Sequence, residues 1–202
     1  MYIRRLMKTQ WMTWMLFGAL ILASCSKTKD EGSAPENSQQ VDAREAFVGD
    51  YQMSVKGDVD VSLKVAMLSI DREGTYPVDY SNIAMRIDKM AGNADSVVVK
   101  VTVEGQQQET HGEVIGTKLL LQPTKIKMPL SELLDNADLG LSETVKATLR
   151  PFATGELEVR LYHSPATLAD SVLTLTTDIE AEVQNAYFSL EMSGTLNDKG
   201  VK

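Results

Sequence analysis

Hydrophobic and polar positions alternate along most of this chain. Val59, Val61, Leu63, Val65 and Met67 are separated by Asp60, Ser62, Lys64 and Ala66, a period of two that turns one row of side chains inward and the other toward water. The same pattern recurs at Tyr51-Met53-Val55, Ile83-Met85-Ile87, Val97-Val99-Val101-Val103, Thr117-Leu119-Leu121, Val145-Ala147-Leu149, Leu157-Val159-Leu161, Leu173-Leu175-Thr177-Ile179 and Phe188-Leu190-Met192. Turn signals fall between these runs at Lys56-Gly57-Asp58, Glu73-Gly74, Gly92-Asn93, Glu104-Gly105, Ile115-Gly116 and Thr154-Gly155. The pattern predicts about nine or ten strands joined mostly by tight antiparallel hairpins. One helix is expected, from Pro129 to Asn136, where proline opens the first turn, Leu130, Leu133 and Leu134 share a face, and Gly140 follows the end.

So many strands in one domain must either close into a barrel or stack as two sheets, because a wide open sheet leaves exposed edges. Tight hairpins favour an all-β, antiparallel up-and-down barrel with one short helix. The long connection from Gln122 to Thr144 keeps a two-sheet β-sandwich as the alternative. A barrel of about eight strands is wide enough either to fill with side chains or to hold one small ligand. Met53, Met67, Met85 and Met192 lie on the apolar phase of their runs with Tyr51 and Phe188, and methionine is adaptable enough to line a pocket. These six residues are the candidate interior wall, and ordinary core is the other reading of the same alternation.

The N-terminus is organised differently. Arg4, Arg5 and Lys8 precede an apolar run from Trp11 to Leu22, which is followed by Leu22-Ala23-Ser24-Cys25 with the chain's single cysteine. This is the layout of a secretory signal, and the run is shorter than the ~20 residues that span a bilayer. The Leu-Ala-Ser-Cys string resembles the processing site of bacterial lipoproteins. That resemblance implies cleavage before Cys25, a diacylglycerol on its sulfur, and anchorage in the outer membrane with no permanent transmembrane helix. Lys29-Asp30-Glu31 is similar to the export signal of surface-exposed lipoproteins in Bacteroides-type bacteria, and it reads equally as a solvated linker charge run. The expected organisation is a signal at 1–24, a polar tether at 25–46 with too few apolar residues to bury a core, and a single domain at 47–198.

Charge and composition then exclude several chemistries. The chain carries 20 Lys and Arg against 28 Asp and Glu, and removing residues 1–24 takes three of the bases and none of the acids, leaving a net charge of −11. Such a surface repels phosphate backbones, so nucleic acid is not an expected partner. With Cys25 lipidated no thiol remains for a disulfide, a zinc site or a nucleophile. His111 and His163 are placed in loops and lack metal-ligand spacing. Asp71 and Glu73 beside Gly74 do not follow a calcium-loop pattern, and Glu132, Asp135 and Asp138 read as the wet side of the helix. No Gly-x-Ser-x-Gly elbow or glycine-rich phosphate loop occurs, so neither an enzyme nor a cofactor is expected.

Phe47-Val48-Gly49-Asp50-Tyr51-Gln52-Met53 resembles the first strand of calycin-like domains, whose lipocalin relatives open with Gly-x-Trp. Gly49 matches the glycine, and Tyr51 stands where the tryptophan would be. With the lipoprotein signal and the closing Ser193-Gly194-Thr195-Leu196, the layout is similar to calycin-like lipoproteins of Bacteroides-type bacteria. The resemblance implies a non-enzymatic barrel that binds a small apolar or amphipathic molecule. The alternative is a surface module that binds an envelope protein or a glycan. Both tryptophans lie in the signal, which leaves few aromatic platforms for stacking sugars.

Overall fold

The alternating run that starts at Gly49 continues without a break to Val65, forming the 17-residue strand β1 in a computed structural model that describes residues 42–103 and 105–202. The signal, Cys25 and the tether as far as residue 41 lie outside the described residues. A 3-10 turn at Ala66–Leu68, ended by Ser69 in the left-handed region, returns the chain into β2 (Ile70–Lys89). Then follow β3 (Ser96–Val103), β4 (Gln106–Ile115), β5 (Lys118–Leu121), β6 (Thr124–Pro129), α1 (Leu130–Asn136), α2 (Glu143–Leu149), β7 (Glu156–His163), β8 (Ala166–Ala169), β9 (Val172–Gln184) and β10 (Ser189–Val201).

All ten strands belong to one antiparallel sheet, in the order β10-β1-β2-β3-β4-β5-β8-β9-β7-β6, and β9 also pairs with β10. The first and last strands therefore share a ladder, from Gln52↔Val201 to Lys64↔Ser189. Hydrogen bonding passes from β10 through β1, β2, β3, β4, β5, β8 and β9 and returns to β10. The outer edge of β9 is divided: Val172–Thr174 pairs with β8, and Thr177–Glu180 pairs with β7. β6 ends the order, and its lysines Lys125 and Lys127 pair with Glu158 and Glu156 on β7 at 2.8 and 3.0 Å, charges of the kind that blunt an exposed strand edge.

The length of β1, about 55 Å at ~3.3 Å per residue, exceeds one layer of core, and the interior is divided in two. One apolar cluster gathers Phe47, Tyr51, Met53, Ile83, Met85, Ile87, Val97, Val99, Leu119 and Leu173. The other gathers Val59, Val61, Leu63, Val65, Tyr76, Leu133, Leu157, Leu190 and both helices. Val55 packs against each. Near it the register of β1 and β2 slips, from Met53↔Ile83 to Val55↔Tyr80. The extra residue sits on β2, where Asn82 takes φ 63°, a conformation asparagine tolerates better than most residues. The bulge switches the inward row of β2 from Tyr76 and Val78 to Ile83, Met85 and Ile87, so the strand serves both clusters.

Several expectations are corrected here. Gly57 and Gly74 are not turns: both lie inside strands, where a second chain segment comes close. A Cβ on Gly57 would stand 3.0 Å from the Thr195 carbonyl oxygen, and one on Gly74 would run into the carbonyl of Asp138. Asp138 N–H donates to Thr75 O at 2.7 Å, ending α1 against the free edge of β2. Val145-Ala147-Leu149 is helical, so two short helices occur where one was expected. Ser142 Oγ accepts from Val145 N–H at 3.4 Å, and this cap outweighs the alternation. His111 lies within β4 and His163 ends β7, so neither is in a loop. The last five residues assigned to the tether, 42–46, are ordered: Arg44 joins the Asp42 carboxylate to the carbonyls of Met90 and Ser96. Lys202 Nζ reaches Ala46 O at 3.3 Å, which brings the two ends of the described chain together.

Candidate functional site

The six candidate wall residues do not line one space. Tyr51, Met53 and Met85 are buried in the cluster nearest the N-terminal turn, and Phe188 and Met192 are buried in the other. The Tyr51 hydroxyl donates to Phe47 O at 2.7 Å, and burial raises its pKa. Met67 is corrected outright: the alternation overran the end of β1, and the residue sits in the 3-10 turn at 73% exposure.

An apolar hollow lies elsewhere. An apolar cavity of ≈ 20 Å³ lies between the far end of the sheet and the two helices. Leu63 and Val65 line it from the end of β1, Leu130 and Leu134 from α1, Leu149 and Ala153 from α2 and the residues after it, and Phe188 and Leu190 from the start of β10. Only Phe188 among the predicted wall residues touches it. Leu149 stands four residues after Val145, a helical spacing that, read with the Ser142 cap, would have pointed to this lining.

The helices are held unequally. α1 buries Leu130, Leu133 and Leu134. α2 fully buries Leu149 alone, packs half-buried Val145 on the same cluster, and leans on α1 through Lys146 Nζ to Asp135 O at 3.0 Å and Arg150 to the Asp135 carboxylate at 2.9 Å. Phe152 and Tyr187 stand at the rim beside Ala153 and Phe188, their ring centroids 5.0 Å apart and their side chains 40% and 47% exposed. Met67 and Leu68 are exposed at the same end of the sheet, beyond Lys64↔Ser189.

A second arrangement lies midway along the molecule, at the junction of the two apolar clusters. Thr177 and Asp198 are buried. The Thr177 hydroxyl donates to Asp198 Oδ2, His163 Nδ1 lies 2.9 Å from Thr177 Oγ1, and His163 Nε2 lies 3.4 Å from Thr124 Oγ1. Asp198 Oδ1 is buried without a hydrogen-bond partner among the described residues. Burial pushes the Asp198 carboxyl up to about 6, against the pull of Thr177, and burial lowers the pKa of the His163 imidazole.

The outer face carries a groove of ≈ 390 Å³ lined by Asp60, Ser62, Glu73, Glu191 and Ser193, which makes this side of β10, β1 and β2 acidic. Among the described residues no group of three His, Cys, Asp or Glu side chains is arranged to hold a metal ion, and no helix is long and apolar enough to cross a membrane. No protein-family model matches the chain, and no curated protein shows significant similarity to it. Fold and site together define a mostly antiparallel β protein with two short helices covering an apolar pocket at one end of its sheet.

Proposed function

We propose that this chain is a lipid-anchored outer-membrane lipoprotein that holds a small apolar or amphipathic ligand, without catalysis, in the pocket beneath α1 and α2. The observation that carries the reading is the wholly apolar lining of that pocket under an exposed aromatic rim, Phe152 and Tyr187. The Leu-Ala-Ser-Cys string before the polar tether supports the anchor at Cys25, and Lys29-Asp30-Glu31 supports exposure at the cell surface. The return of the strand ladder from β9 to β10 supports a closed, calycin-like barrel. Tyr51, Met53 and Met85 are buried together in the half nearer the N-terminal turn, and the apolar pocket lies in the other half, where the ligand is placed.

A cavity of ≈ 20 Å³ is far below the ~300 Å³ or more that a bound ligand needs. The ligand therefore enters as α2 swings away. Detaching α2 exposes fully buried Leu149, about 1.5–3 kcal/mol, together with half-buried Val145, and breaks the Lys146–Asp135 hydrogen bond and a half-exposed ion pair contributing roughly 0–1 kcal/mol. Native mass spectrometry of the mature chain, residues 25–202, tests the reading: a co-purified fatty acid or similar lipid is expected, and loss of that adduct in Leu134→Trp, which fills the pocket, is its signature. Apolar probes that leave the mass unchanged at saturating concentration contradict it.

A second reading, docking of an envelope protein, is favoured by one observation. Met67, Leu68, Phe152 and Tyr187 expose apolar surface at the same end, and such surface marks contact sites.

A further inference from the structure

We propose that His163, Thr177 and Asp198 form a proton relay, leading from a half-buried imidazole at the end of β7 to a buried carboxylate at the junction of the two apolar clusters. The direction of the hydrogen bonds follows from proton counting. An ionised Asp198 can only accept, so the single proton of the Thr177 hydroxyl is committed to Oδ2. Thr177 Oγ1 must then accept from His163 Nδ1–H at 2.9 Å. A neutral imidazole carrying its proton on Nδ1 has a bare Nε2, which accepts from Thr124 Oγ1 at 3.4 Å.

A proton from solvent added at Nε2 balances the sequence. The Nδ1 proton passes to Thr177 Oγ1, and the hydroxyl proton that Thr177 already carried passes to Asp198 Oδ2. One proton has entered, Asp198 is neutral, and His163 has changed from its Nδ1–H to its Nε2–H tautomer, which now donates to Thr124. The surroundings suit transfer. Burial disfavours the charged imidazole, which favours passing a proton on, and burial raises the affinity of the carboxyl that receives it. Among the described residues no lysine, arginine or second carboxylate pairs with Asp198. It faces Val55 across the β1 ladder and Leu175 across the β9 ladder, with His163 of β7 reached through Thr177. Tyr80, opposite Val55 on β2, is 43% exposed. The relay thus neutralises a charge buried between two apolar layers as the surroundings acidify, and it involves neither the pocket nor the helices.

Nitrogen-15 NMR of the histidine rings reads the tautomer directly, and with two histidines in the chain the variant His111→Gln assigns the signals. In the unaltered mature chain His163 is expected to change from Nδ1–H to Nε2–H over the same pH interval in which the carbon-13 signal of the Asp198 carboxyl titrates. Thr177→Val keeps the side-chain shape and removes the bridging hydroxyl, so there the tautomer no longer follows the carboxyl. A His163 that keeps one tautomer while Asp198 titrates in the unaltered chain overturns the proposal, as does coupling that survives in Thr177→Val. If that variant does not fold, the unaltered chain decides alone.

Discussion

Gly200 of β10 and Met53 of β1 face each other so closely that the methionine sulfur occupies the place of a Cβ on residue 200. The contact lies in the half of the interior that holds three of the six expected wall residues, Tyr51, Met53 and Met85. Gly200→Ala must displace Met53 or the β10 backbone, and overpacking of this kind costs about 1–3 kcal/mol. A lowered urea midpoint with an unchanged m-value is the expected result, and an unchanged midpoint would mean that this half has room to spare.

The other half does have room. Val65→Ile adds one methyl group toward the ≈ 20 Å³ cavity. It should stabilise the chain by about 0.5–1 kcal/mol, on the order of one buried methylene, while weakening binding of an apolar ligand. Chemical denaturation beside a ligand titration separates these effects. Stabilisation with unchanged affinity would locate the ligand elsewhere.

Asp198 makes stability depend on pH. Its carboxyl is raised from 3.8 to about 6 in the fold, so the native state holds the proton more tightly than the unfolded chain does. The stability this contributes is fully present below about pH 4 and is lost as pH rises toward 6, at most about 3 kcal/mol for a shift of this size. Asp198→Asn should flatten the stability profile over that interval and raise stability at pH 7. Denaturation midpoints measured from pH 4 to 8 check this, and a variant less stable than the parent at pH 7 refutes it.

Much of the fold was legible because alternation reports burial directly. β1, β3, β7, β9 and β10 each carry apolar residues at alternate positions over most of their length, broken at Gly57, Thr177, Gly194, Asp198 and Gly200, and each has a partner strand on both sides. The errors have local physical causes. Gly57 and Gly74 resemble turn positions in the sequence because glycine marks turns and close approaches alike, and only the path of β10 and of Asp138 tells these apart. Met67 continued an apolar phase after the strand had turned away, since periodicity carries no stop signal of its own. β4, with Gln106-Gln107-Gln108-Glu109, was not expected because its first half is exposed and has no apolar row to display. The site was least legible: Leu63, Leu134, Leu149 and Leu190 come from four elements, and no spacing in the chain connects them. The Thr124-His163-Thr177-Asp198 chain was hidden for the same reason.

The proposed anchor has a separate consequence. Cys25→Ala should block lipid attachment and processing, leaving an unlipidated precursor that retains residues 1–24. Mass spectrometry of the cell-extracted chain measures both, and a normally processed, membrane-retained variant would contradict the assignment of Cys25.

Carbon-13 methyl NMR of the mature chain titrated with a medium-chain fatty acid tests the central claim most directly, because each half of the interior has its own reporters. Saturable shifts are predicted at Leu130, Leu134, Leu149 and Leu190, with Met53, Met85 and Ile87 unmoved. Shifts centred on Met53 and Met85, or none at any of these methyls, would contradict a ligand site beneath the helices.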